Sequence, residues 1–217
     1  MSSQQEFFTA HVPEPQILLG VQLRPFSLGH LVLLHRLGSA YATGGTPDIS
    51  DLVSSVFTCS QTYAEAEAVL TTGKVPVKQK GWFGSKLVDM PLPDAMALWQ
   101  EQIGPFDFTE KSSEFAAYTK AGSKHPLVSS VRGSDGGNSV NDCPFVQQVK
   151  VVLMSKLNFR EADLLDRPWS LCLWDYCTSH MLEGNLHILN RDEFSNARAV
   201  ADSIHERIQK GELRYGT

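Results

Sequence analysis

The densest group of side chains able to hold a metal is Cys172-x4-Cys177-x2-His180, since thiolate and imidazole are the ligands zinc prefers. A helix turns about 100° per residue, so Cys177 and His180 share a face while Cys172 sits roughly 140° round from Cys177. Three ligands therefore do not converge from one helix, and all three read as groups that pack inward. His30 and His35 stand five apart, off the spacing of four that brings two imidazoles to one ion, and read as residues at the edge of the core. The chain has no GxSxG elbow, no HExxH and no cysteine flanked by an obvious histidine partner. The run Gly-Ser-Asp-Gly-Gly-Asn at 133–138 lacks both the GxxxxGK[ST] spacing of a phosphate loop and the ligand spacing of an EF-hand. Carboxylates are plentiful but fall mostly at helix starts, where the helix dipole accounts for them. The reading is a non-enzymatic protein with no catalytic residue, no metal and no cofactor.

The elements that position these groups belong to a chain of 217 residues and 24.0 kDa, enough for a substantial core. Apolar residues are 42%, charged residues 20%, and the mean hydropathy is −0.17, the proportions of a folded globular protein. A formal charge of −5 argues against a nucleic-acid coat, which binds phosphate through Lys and Arg. A helix-turn-helix at 160–165 and 168–183 fails on the same ground. Arg160 and Arg167 are outnumbered there by Glu161, Asp163, Asp166, Asp175 and Glu183. The first residues show no secretory signal, and the apolar runs at 28–37 and 149–157 are too short to span a bilayer. Four cysteines in a chain of this length read as free thiols in a reducing compartment, which points to the cytoplasm.

Residues 1–15, rich in Ser, Gln and Pro, read as an exposed arm, and 16–217 as a single mainly helical domain with a natural break near 140 (16–122 and 143–217). Residues 16–24 alternate Ile17, Leu19, Val21 and Leu23 on one face, a strand bent back as a small hairpin at Gly20. Ser27 caps a helix to Leu37 that is apolar nearly all round and so central. Thr46-Pro47-Asp48, Thr62-x-x-Glu65, Pro93-Asp94 and Asp107-x-x-Glu110 open four further helices. Asp142 and Pro144 start a helix with a stripe of Phe145, Val149, Val152, Leu153 and Leu157. Asn158-x-x-Glu161 reads as a capping box for a short turn. Pro168 starts a helix facing Trp169, Cys172, Leu173, Tyr176, Cys177, His180 and Met181 inward. Asn190-x-x-Glu193 opens a last helix with Phe194, Ala197, Ala201, Ile204 and Ile208 on one face. The fold class is therefore mainly α, a helical bundle with a small β-strand pair near the N-terminus.

Two stretches carry no helical period. Residues 123–142 read as a loop. Residues 74–91 read as a long loop and hold Lys74, Lys78, Lys80 and Lys86, the most basic piece of an acidic chain. Within it, Gly81-Trp82-Phe83-Gly84 sets two large aromatics between glycines. Either the aromatics plug the protein's own core, or Trp82 and Phe83 anchor a partner with Lys78, Lys80 and Lys86 as the polar rim.

Two segments together, 23–39 (LRPFSLGHLVLLHRLGS, following ILLGVQ) and 157–185 (LNFREADLLDRPWSLCLWDYCTSHMLEGN), carry a family likeness. The arrangement resembles small bacteriophage and prophage tail proteins of the tail-assembly-chaperone kind, over roughly a fifth of the chain. That resemblance implies a role in which the apolar faces of a long helical tape-measure protein stay covered until tail-tube subunits assemble around it. The partner would be that client or a tail subunit, in the bacterial cytoplasm or on the virion, with no nucleic acid and no membrane involved. The client would meet a groove lined by the helices at 169–181 and 194–208. A structural virion or adaptor subunit of a tail or baseplate is the other role it admits. The family pattern supplies no functional residue at these positions, and the 74–91 segment has no counterpart in it.

Overall fold

Ser27 marks where the chain turns from strand to helix. Its backbone is extended and its hydroxyl oxygen accepts from the His30 amide, while His30 Nδ1 accepts from the Ser27 amide. This is a capping box with imidazole in the place usually taken by Glu or Gln. The computed structural model describes residues 7–8, 15–81, 84–130 and 143–210. Among them it is mainly helical with small antiparallel β pairs.

β1 (Gln16–Leu18) and β2 (Val21–Leu23) form the expected hairpin, pairing Leu18 with Val21 and Gln16 with Leu23. Leu19 and Gly20 both take positive φ, 49° and 77°, as a two-residue hairpin turn requires. The expected inward face is corrected in β1. Leu18 is buried and Ile17 is 73% exposed, because the turn at Leu19 and Gly20 resets the alternation between the two strands.

α1 (Leu28–Arg36) is the centre, with Leu28, Leu33 and Leu34 fully buried. Around it lie α2 (Ala40–Thr43), α3 (Ile49–Cys59), α4 (Tyr63–Thr72), α8 (Glu161–Leu165) and α9 (Trp169–Leu182). α6 (Phe108–Gly122) and α7 (Phe145–Leu157) complete the core with Phe115, Tyr118, Val149 and Leu153. The core thus takes side chains from both sides of residue 140. The starts of α1 and α9 also bond directly: the Trp169 amide donates to Phe26 O at 2.8 Å and the Leu28 amide to Arg167 O at 3.1 Å. Within the N-terminal arm, Phe7 stands edge-on to Trp174 at 5.4 Å.

Local punctuation holds where cap and helix are neighbours in sequence. The boxes Thr62/Glu65 and Asn190/Glu193 form as expected, and Asp107 caps α6. Thr62→Ala is expected to lower stability by about 1 kcal/mol, read as a urea-midpoint shift with unchanged slope. Three starts are corrected. Asp48, not Thr46, caps α3, because its carboxylate is the one within reach of the Asp51 amide at 2.7 Å. Pro91 precedes α5 (Leu92–Ile103), one turn position earlier than Pro93 suggested. Asn158 closes α7 in a left-handed conformation instead of opening α8, and Arg160 takes the N-cap position.

The 74–91 segment is a hairpin, not a loop: β3 (Lys74–Gly81) pairs antiparallel with β4 (Gly84–Pro91) along its whole length. Val75 and Val77 alternate with Lys74 and Pro76, a period of two that proline and lysine obscure. Pro76 is tolerated because a two-stranded sheet consists only of edges. Residues 128–130, expected in a loop, form β5 (Val128–Ser130) and pair with β6 (Leu186–Ile188), the extended link before the last helix. Strands of three residues are too short to show a period.

α10 (Arg191–Gln209) departs most from expectation, since none of its residues is buried. α9 errs the other way: Leu171, Trp174 and Ser179 are buried along with the expected face, while Met181 is 36% exposed. Among the described residues no helix is long and apolar enough to cross a membrane.

Candidate partner-binding surfaces

The Cys172, Cys177 and His180 group lies where α9 meets the core. Cys172 is fully buried and Cys177 nearly so, and burial pushes the Cys172 thiol up to about 12 and raises that of Cys177. Neither thiol is primed as a nucleophile, because the thiolate is the reactive form. His180 packs against the Tyr176 ring at 4.6 Å, with Nδ1 3.6 Å from the Glu183 carboxylate. Its Nε2 is buried without a hydrogen-bond partner among the described residues. No group of three metal-ligating side chains occurs among those residues. His30 is 1% exposed and serves the α1 cap, its Nε2 2.8 Å from Gln61 O.

The basic segment is resolved into two ends of one hairpin. In the register Lys78 stands opposite Leu87, Lys80 opposite Ser85 and Lys86 opposite Gln79, so the backbone puts Lys78 and Lys80 on one face of the ribbon and Lys86 on the other. Trp82 and Phe83 lie outside the described residues.

At the other end the hairpin meets α5. Val77, Val88 and Leu98 floor an open groove of about 720 Å³, edged by Asp89, Asp94 and Glu101. The local reason is periodicity. Val75, Val77, Val88 and Met90 fall on one face of the two strands, while Asp94, Leu98 and Glu101, spaced four and three apart, share a helix face. Trp99, on another side of α5, stacks toward Phe57 of α3 at 6.0 Å and anchors the helix to the core. Val88 and Leu98 are 38% and 44% exposed, and none of the three carboxylates is in an ion pair among the described residues. Sequence reading missed this groove. The signal was present in the alternation of valines and in the helical spacing of the acids, but nothing local says that the two face each other.

The second surface is α10. Phe194, Ala197, Ala201, Ile204 and Ile208 recur at intervals of three and four, the seam of a heptad repeat. Ala197, Ala201 and Ile204 are exposed, Ile204 at 45%, and Phe194 and Ile208 are only partly covered, so the seam expected to face inward faces out. What holds the helix is local: its capping box and the i,i+4 pairs Arg198–Asp202 and Glu206–Lys210. Among the described residues no residue of α10 is buried, and the groove expected between α9 and α10 is not seen there. No protein-family model, curated protein or solved structure matches this chain.

Proposed function

We propose that this chain works by binding another protein, not by catalysis, and that α10 is the surface that meets the partner. The observation supporting this reading is the exposed heptad seam of α10 on a helix that contributes nothing to the core. An isolated helix gains little by keeping such a stripe in water, whereas a second amphipathic helix laid along it buries both. Ala197 and Ala201 at the middle of the seam let the partner's backbone approach closely. A long helical client of the tape-measure kind, implied by the tail-chaperone resemblance, offers faces of this chemistry.

The test is co-expression with a long helical protein of the tape-measure kind, comparing wild type with the double variant Phe194→Asp/Ile204→Asp. Wild type is expected to co-purify, and the variant to lose at least about tenfold of that recovery as two buried anchors become charged. Its melting temperature is expected to stay within about 2 °C of wild type, since no residue of α10 is buried and Phe194 is only partly covered. Failure of wild type to co-purify with both proteins soluble, or equal recovery of the variant, overturns the reading.

A further inference from the structure

We propose that the groove between the β3–β4 hairpin and α5 is a docking site for a cationic amphipathic helix of another protein. It is a second surface, and it does not rest on the reading of α10. Its floor is Val77, Val88 and Leu98, and its rim carries Asp89, Asp94 and Glu101.

α5 holds residues at this groove that the fold does not use. Met96, Trp99 and Ile103 are the side chains it packs against the core. At 100° per residue Asp94, Leu98 and Glu101 fall within about 60° of one another on the opposite side of the helix. Leu98 stays 44% exposed there, and Val88 of the hairpin 38%. Asp94 lies in the first turn of α5, where the helix dipole favours an acid. Glu101 lies in the last turn, where the dipole disfavours one, and no basic residue of that turn offsets it. Neither carboxylate is in an ion pair among the described residues. A partner that brings an apolar side chain to the floor and cations to the rim relieves both conditions at once. The formal charge of −5 draws a cationic partner from a distance.

The spacing selects a helix as the occupant. Asp94 and Glu101 stand about 10.5 Å apart along the axis of α5, with Leu98 between them. A helix laid alongside presents cations at that same interval, with apolar residues at the intervening turn. In an extended chain the side chains on one face recur about every 6.7 Å, so no pair of them matches the two acids. In the backbone register Lys86 shares the ribbon face of Val88, nearer the turn, so the test includes Lys86→Ala.

Anisotropy titrations of the full chain use a fluorescein-labelled, alanine-rich helical peptide. It carries lysines at i and i+7 and leucines at i+3 and i+4. Two matched peptides replace the lysines with glutamates or the leucines with serines. Wild type is expected to bind the lysine peptide with a Kd below about 100 µM at about 50 mM salt, and the other two at least about tenfold more weakly. Asp94→Lys/Glu101→Lys is expected to lose at least about tenfold for the lysine peptide and to gain the glutamate peptide. That inversion of preference shows the variant to be folded. Phe194→Asp/Ile204→Asp is expected to bind as wild type does, which separates failure here from failure of the α10 reading.

A wild type that does not bind the lysine peptide below about 1 mM, or binds the glutamate peptide as well, overturns the proposal. So does a charge-reversed variant that binds as wild type does, or binding lost in the α10 variant instead. Binding tightened about tenfold in Lys86→Ala would show that the hairpin fills its own groove, and overturns it too. Sedimentation velocity covers the last occupant: a wild-type dimer abolished by Asp94→Lys/Glu101→Lys overturns the proposal in favour of a second copy of this chain.

Discussion

Gly29→Ala is expected to destabilise the protein by about 3 kcal/mol, although alanine is the better helix former by about 1 kcal/mol. Gly29 is the second residue of α1, where the helix passes between α8 and α4. A Cβ there would stand 2.5 Å from the Leu165 carbonyl oxygen, 2.5 Å from Tyr63 Cδ2 and 2.8 Å from Tyr63 Cβ. None of these is the loose end of a flexible chain. Leu165 O belongs to backbone that leads into Asp166, whose carboxylate accepts from the Tyr63 amide at 2.8 Å, and into Arg167, whose carbonyl accepts from the Leu28 amide. The Tyr63 hydroxyl is itself held, donating to Glu67 at 2.7 Å. Relief of the clash therefore has to move the start of α4 or the turn that launches α9, and both carry core residues. In urea the midpoint should fall with little change in slope, matching a melting temperature lower by about 6–12 °C. Gly45→Ala is the control: its Cβ would meet Ala40 Cβ at an ordinary 3.5 Å, and a change within about 0.5 kcal/mol is expected. A Gly29→Ala loss as small as that of the control would show that α1 has room to shift.

Gly29 also marks the boundary of what the sequence makes legible. Caps can be read because a cap and its target amide are three residues apart, so Thr62 with Glu65 and Asn190 with Glu193 are decided locally. Even then Asp48 displaced Thr46, and Asn158 ended a helix instead of opening one, because neighbouring cap residues compete and only backbone geometry selects between them. A heptad stripe on α10 is visible in the chain, but periodicity says that a face is apolar and not what covers it. Here the protein's own core does not. Glycine carries the opposite problem. Gly122 ends α6 as the sequence suggests, but it is also needed there for a second reason, since a Cβ would meet Phe26 Cβ at 2.4 Å. The reason belongs to a residue nearly a hundred positions away. The hairpin groove joins residues local in sequence, yet it forms only because 74–91 pairs along its full length, which Pro76 and the lysines conceal.

His30→Ala is expected to cost about 3 kcal/mol at neutral pH, and that cost should shrink in acid. The neutral imidazole does two jobs at once. Nδ1 accepts from the buried Ser27 amide at 3.1 Å, which requires the ring proton to sit on Nε2, and Nε2–H donates to Gln61 O at 2.8 Å. Alanine leaves both backbone groups without these partners, at about 1–3 kcal/mol for each one buried, and weakens the tie between the start of α1 and the end of α3. Protonation threatens the same pair, because an imidazolium has no lone pair with which to accept from Ser27. Burial holds the His30 pKa below its ordinary 6.5, with Arg24 acting in the same direction, while the Gln61 and Pro25 backbone contacts and the Asp166 charge oppose it. The unfolded chain therefore takes up a proton at this ring before the folded chain does. His30 contributes its full stabilisation above about pH 6.5 and loses it as pH falls toward the lower folded value, by at most about 1.4 kcal/mol per unit. Urea titrations of wild type and His30→Ala between about pH 8 and pH 5 separate this ring from the other six histidines, which are common to both proteins. The gap between the two stability curves should be constant at the alkaline end and close steadily below about 6.5. A gap that stays level throughout, or widens in acid, would mean the ring titrates no differently folded than unfolded, or is held as the cation; the Ser27 amide would then not depend on it.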